Sequence, residues 1–171
     1  KLYKLLQLLA LQMGSLVSVV KIANALDLSS ETVNNYIDLL EKSFVIFRRT
    51  GYSRNKAKEI SKMDKIYFFD NGIRNALLQN FTPWDLRSDK GALWENFVIN
   101  ERMKNNSYDQ KLVRSYFWRT YNGTEIDIIE EENGKLAAIE LKANNKITGM
   151  PPSWVQDYPE ASFQVVNMEN W

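Results

Sequence analysis

Two acidic residues and a lysine at the open end of a β-hairpin are the most chemically suggestive feature of this sequence. Asn133-Gly134 is the preferred pair for a two-residue type I′ turn, and it separates two strand-like runs, Thr124–Glu131 and Lys135–Lys142. With that turn, Glu132 faces Lys135, Ile129 faces Ala138 and Ile128 faces Ile139. Continued outward, Asp127 faces Glu140 and Glu125 faces Lys142. Directly opposed residues have Cβ atoms about 5 Å apart, and like charges there destabilise a sheet. The alternation of side chains puts Asp127, Glu140 and Lys142 on one face. Two opposed carboxylates beside a lysine need a reason, and a divalent cation would supply one. A plainer arrangement also satisfies the pattern: a Glu125–Lys142 cross-strand ion pair on a solvated face, with Asp127 and Glu140 tolerated. Glu130-Glu131-Glu132 read as a solvated strand end.

Composition narrows what else is chemically available. The 171 residues include no histidine and no cysteine, which excludes disulfide scaffolds, zinc fingers, haem and iron–sulfur ligation, Cys nucleophiles and Ser-His-Asp triads within this chain. Any metal must therefore be a hard cation held by oxygen. With 44% hydrophobic and 25% charged residues, the chain is globular in character and long enough for one large domain or two small ones. No apolar run approaches the ~18 residues that cross a bilayer, so no membrane partner is expected and a cytoplasmic location is. No G-x-x-x-x-G-K-[ST] motif occurs among the seven glycines, so a nucleotide-hydrolysing P-loop is not in this chain. The sequence starts at Lys1 and reads as a piece of a longer polypeptide.

The first third carries the marks of a helix-turn-helix. Apolar residues from Leu2 to Met13 recur every three or four positions up to Gly14, which predicts a mostly buried helix. A short second helix is expected over Val19–Leu26 after Ser18. A third opens at Ser29, whose side chain can cap the first free amides, with Val33, Tyr36, Ile37, Leu40 and Phe44 as its apolar face. Val45-Ile46-Phe47 and Ile66-Tyr67-Phe68-Phe69 read as strands flanking a long basic loop, which completes a winged-helix arrangement over residues 1–80. Net charge is 0 over residues 1–47, +5 over 48–65 and −4 over 66–171. The basic stretch, with Arg48, Arg49, Arg54, Lys56 and Lys58, is either a docking site for a phosphate backbone or a solvated loop. The third helix is a poor base reader. Its outward positions are Ser30, Glu31, Asn34, Asn35, Asp38 and Glu41, and acids repel phosphates; packing or protein contacts suit it better than sequence readout.

The rest of the chain reads as an α/β domain over residues 88–171. A short helix is expected over Gly72–Gln79, broken by Phe81-Thr82-Pro83-Trp84, and a longer one over Lys90–Lys104. Strands follow at Leu112–Arg119, along the two arms of the hairpin, and at Phe163–Met168. The five tryptophans are expected to pack, with Trp118, Arg119 and Tyr121 as the one cluster that could stack on a nucleic acid.

The order Asp127…Glu140-Leu141-Lys142 resembles the core of the PD-(D/E)XK nuclease superfamily. Gly91-Ala92-Leu93-Trp94-Glu95-Asn96-Phe97-Val98, Tyr116-Phe117-Trp118-Arg119, Gly123-Thr124-Glu125-Ile126-Asp127 and Ala138-Ile139-Glu140-Leu141-Lys142 resemble more closely the uncharacterised domain C-terminal to the ATPase domain of predicted bacterial and archaeal AAA+-type ATPases. Tyr52-Ser53-Arg54-Asn55 and Lys65–Gly72 resemble the linker of that family. The resemblance implies a winged helix joining an upstream ATPase to a restriction-endonuclease-like domain. It further implies Glu95, Asp127 and Glu140 as Mg²⁺ ligands, Lys142 as the group that positions the attacking water, DNA as a partner of the basic wing, and ATP bound only in the upstream domain. The other reading it leaves open is a catalytically silent module that binds DNA or protein and regulates that ATPase.

Overall fold

In the computed structural model, residues 1–53, 63–146 and 148–171 are described. The chain is a mixed α+β protein, as expected, with helices and two separate sheets. Two compact units share the sequence unevenly. Lys1–Arg49 and Met63–Asn96 form the first; Thr50–Ser53 and Phe97–Trp171 belong to the second.

The first unit begins with α1 (Leu2–Leu11), which buries Leu5, Leu9 and Ala10. Gly14 follows at φ +76°, a left-handed conformation that suits glycine. Helices α2 (Val19–Leu26) and α3 (Ser30–Lys42) start where their caps place them. The Ser18 hydroxyl accepts from the Lys21 amide, and the Ser29 hydroxyl accepts from the Thr32 amide at 3.0 Å. Val33, Ile37 and Leu40 are the buried face of α3. Phe44, expected on that face, is not on it. The helix ends at Lys42, Phe44 turns to φ +55°, and its ring is exposed and meets Phe69 edge-on at 5.6 Å. Strands β1 (Ile46–Arg49) and β2 (Lys65–Phe68) pair antiparallel, with Ile46 opposite Phe68 and Arg49 opposite Lys65. The 14–17 segment adds to the far side of β2: Gly14 N–H reaches Ile66 O at 3.1 Å and Val17 N–H reaches Asp64 O at 2.9 Å. Helix α4 (Asn71–Leu77) is capped by Asp70, a 3₁₀ turn covers Trp84–Leu86, and α5 (Lys90–Tyr108) starts in this unit, its residues from Phe97 on belonging to the second.

Two polar assemblies fix the first unit from inside. Asn96, 1% exposed, accepts from the Phe68 amide and donates to the Phe68 carbonyl, both at 3.0 Å, so its side chain acts as a further strand beside β2. The second assembly joins α4 to the start of α5. Arg87 grips Asp89 with Nε and Nη2 at 2.8 and 2.9 Å. Arg74 reaches the same carboxylate and also donates to the Ala10 carbonyl at 3.3 Å.

The second unit is a four-stranded sheet in the order β3 (Arg114–Arg119), β4 (Glu125–Glu132), β5 (Lys135–Leu141), β6 (Ser162–Val166). The first three strands are antiparallel and β6 runs parallel to β5. A parallel neighbour needs a crossover, which is supplied by α6 (Pro152–Asp157). No helix is expected there from the sequence; Pro152 occupies its first position, where a missing N–H costs nothing. Its Trp154 is fully buried among Tyr52, Tyr116, Trp118 and Tyr158, meeting Trp118 edge-on at 5.2 Å. Trp118 is therefore core, not a stacking platform.

Glu130 is also core. It is 9% exposed, and Arg102 on α5 holds its carboxylate with two bonds at 2.9 and 2.6 Å. The expected solvated strand end starts later, at Glu132. Glu130→Gln keeps the shape and removes the charge. It should lower unfolding stability of the second unit by about 1–2 kcal/mol, the difference between a charged and a neutral hydrogen-bond acceptor, as read from a urea titration.

Candidate functional site

The hairpin register is the expected one where the ladder runs. Glu132 pairs with Lys135, Ile129 with Ala138, and Ile128 with Ile139. Asn133 and Gly134 take φ +50° and +77°, the two positive values a type I′ turn requires. Toward the open end the ladder changes. Two steps along β3, Tyr116 to Trp118, span three along β4, Ile129 to Ile126, so Asp127 and Ile128 together lie opposite Phe117. This is a β-bulge, a device that bends a strand and re-aims a side chain. Phe117 turns its backbone the other way, accepting from the Tyr52 amide at 2.6 Å and donating to Thr50 O at 3.2 Å.

The pairing of β4 with β5 ends at Ile128 and Ile139. Beyond it, the Asp127 carboxylate accepts the Leu141 amide at 2.8 Å, standing in for a backbone carbonyl. The end of β5 follows its parallel neighbour: Leu141 pairs with Val166, and the Lys142 amide donates to Val166 O at 2.9 Å. Lys142 Nζ folds back to Glu140 Oε1 at 2.7 Å. The Glu125–Lys142 ion pair that the sequence permitted is absent; Glu125 instead binds Arg119 at 2.7 Å. So the bulged end of the sheet gathers Asp127, Glu140 and Lys142. Each carboxylate has an internal partner, a backbone amide for one and an ammonium for the other. All three residues are half-buried.

Glu95 is placed in the first unit. Tyr67 Oη donates to its Oε1 at 2.5 Å, and the buried Lys65 Nζ lies 3.5 Å from the same oxygen. Gly14 leaves the space it needs, since a Cβ at that position would sit 3.3 Å from Glu95 Oε2. Among the described residues, no group of three or more acidic side chains is placed to hold a metal ion. Asp127 and Glu140 at the sheet end offer two carboxylates. That suits Mg²⁺, which takes one or two protein carboxylates and fills its remaining positions with waters and phosphate oxygens.

The basic residues are distributed as follows. Arg54, Lys56 and Lys58 lie outside the described residues. Arg49 is buried. Arg48 is held by Glu41 through Nε at 2.9 Å and by Asp38 through Nη2 at 2.6 Å. Burial works against the Arg48 charge, but these acids outweigh it and keep the guanidinium more firmly protonated than usual. The acids on the third helix thus have an internal cation to serve. Neighbouring Asp64 is pushed up by burial; Arg48 pulls it down and Glu41 adds to the rise.

Residues 1–83 match a domain of unknown function, DUF8612, and residues 90–153 match another, DUF4143, a domain often C-terminal to AAA ATPases. The second match contains Glu95, Asp127, Glu140 and Lys142. Uncharacterised proteins of Mycobacterium bovis and of Mycobacterium tuberculosis are each 30% identical over 131 residues, which covers 75% of this chain and 29% of the relative. The chain thus spans less than a third of the length of these curated relatives. No solved structure matches. Among the described residues, no helix is long and apolar enough to cross a membrane.

Proposed function

We propose that the second unit is a Mg²⁺-dependent phosphodiesterase that acts on DNA, carried on a longer ATPase polypeptide whose nucleotide site lies outside this chain. The observation that carries this reading is the bulged sheet end, where Asp127 and Glu140 sit beside Lys142. Asp127 lies in the bulge, beyond the paired ladder of β4 and β5, and bulges are over-represented next to active sites. In this reading Asp127 and Glu140 hold the ion, which when bound neutralises phosphate charge and acidifies a water. Lys142 leaves Glu140 to orient that water and to stabilise charge developing on the phosphate. The first unit serves as the helix-turn-helix part of a winged helix, and the basic sequence stretch with Arg54, Lys56 and Lys58 reaches DNA.

A second reading has its own support: both carboxylates already have internal partners, so the sheet end needs no cation to fold. A silent module that binds DNA or protein for the ATPase would look the same.

Supercoiled plasmid separates the two readings. With Mg²⁺ or Mn²⁺ the protein should relax or linearise it, and EDTA should stop the reaction. Absence of cleavage sinks the enzymatic reading, as does cleavage that persists unchanged in D127A. Metal alone should raise the melting temperature by mass action, with about 2.7 kcal/mol gained at a hundredfold excess over Kd. A melting temperature indifferent to metal, together with E140Q more stable than wild type, would identify a relieved like-charge pair.

A further inference from the structure

The turn joining β3 to β4 is tightly built, yet it holds up a fully exposed aromatic ring. The Thr120 amide donates to Thr124 O at 2.8 Å, the Gly123 amide to Thr120 O at 3.1 Å, and the Thr124 amide to Thr120 Oγ1 at 3.1 Å. Gly123 turns the chain at φ +89°. Arg119 lies alongside, with Nη2 3.6 Å from where a Gly123 Cβ would be, and its guanidinium is steadied by Glu125 at 2.7 Å. Tyr121 sits at the tip with its side chain fully exposed.

The place of this ring distinguishes it from a casual surface aromatic. Arg119 opposite Glu125 is the last pair of the ladder, and Asp127 follows Glu125 by two residues, ~7 Å along the strand. The turn that carries the ring therefore lies at the Asp127–Glu140 end of the sheet, within the length of a few nucleotides. Charge adds a second consideration. Residues 97–171, which contain this turn and the sheet, carry a net −3, so their own charge contributes little phosphate attraction. Base stacking does not depend on charge, and every base has a π face to offer. Within a duplex those faces are covered by neighbouring bases.

We propose that Tyr121 is a stacking contact for an unpaired nucleobase next to the Asp127–Glu140 site, which makes the substrate class a single strand or an unpaired end. This deepens the phosphodiesterase reading and rests on it for the identity of the neighbouring site. The test measures anisotropy of a labelled twelve-nucleotide dT strand, and of a duplex of the same length, with the full chain in EDTA. The single strand should bind more tightly than the duplex. Y121A should weaken single-strand binding about 5- to 100-fold while duplex binding stays within twofold, and Y121F should restore it. Single-strand binding by Y121A within twofold of wild type overturns the inference, as does a wild type that prefers duplex or binds neither. Repeating the series with Mg²⁺ separates the two ideas. Cleavage with no dependence on Tyr121 leaves the nuclease and removes the stacking contact. Tyr121-dependent binding without cleavage leaves the contact and removes the nuclease.

Discussion

Replacing Asp89 with alanine is expected to destabilise the first unit by about 3–5 kcal/mol, the range seen when one partner of a buried charge network is removed. The side chains of Arg74 and Arg87 are only 6% and 4% exposed. Without Asp89 both guanidinium groups stay charged, since neither can shed its proton, and they face each other across the vacated position. Arg87 would keep the Asn80 carbonyl at 3.0 Å and the Asn75 side chain at 2.9 Å, and Arg74 would keep the Ala10 carbonyl. These neutral acceptors do not replace a shared carboxylate. Amide exchange would locate the effect: protection should fall along α1, α4 and β2 and stay unchanged in β3–β5. A loss under about 1 kcal/mol would mean the arginines find water instead.

The same group gives a pH dependence of known sign. Arg87, then Arg74, holds the Asp89 carboxyl well below the usual carboxylate range. A depressed acid contributes stability in full above its unfolded pKa of about 3.9 and loses it as pH falls toward the folded value. Acid unfolding of the first unit should therefore move to higher pH when the arginine contacts are weakened, as in R87K, which forfeits the two-pronged geometry.

What the chain revealed before folding, and what it hid, follows from how far apart the interacting residues lie. The caps at Ser18 and Ser29 and the Asn133-Gly134 turn are local events, decided by residues within four positions of one another, and each stands where sequence logic puts it. The hairpin register followed from the turn. The bulge did not, because it depends on Phe117 turning its backbone to the 50–52 segment, more than sixty residues away. Glu130 looked like part of an acidic run until α5 brought Arg102 to it. Asn96 reads as an ordinary polar position in a stretch expected to be helical; only the edge of β2 gives its side chain a task. The site residues Asp127, Glu140 and Lys142 were legible as a group because period-two alternation brought them together. Glu95 was assigned to them by resemblance alone, and its contacts with Tyr67 and Lys65 are long-range features that no spacing rule encodes.

Lys142→Met is expected to move two measurements in opposite directions, and that opposition separates a working site from a decorative ion pair. Lys142 Nζ lies 2.7 Å from Glu140 Oε1, with side chains 28% and 16% exposed, so the lysine competes with any cation for that oxygen and repels it. Removing the ammonium while keeping an unbranched stem should tighten Mg²⁺ or Mn²⁺ binding by roughly tenfold, the scale of about 1–2 kcal/mol for a unit charge a few ångströms from another at a half-exposed site. Calorimetric titration of metal into the free protein reads this directly. Plasmid cleavage should fall about 10²–10³-fold, the usual loss when a group that stabilises developing charge is deleted. Tighter metal with slower cleavage requires that the lysine oppose the ion at rest and assist the phosphate in reaction. If the variant instead binds metal no better and merely loses about 1 kcal/mol of stability, Lys142 is the counter-ion of Glu140 and nothing more. If it cleaves as fast as wild type, the attacking water is positioned by another group and the site must be rebuilt around Asp127 and Glu140 alone.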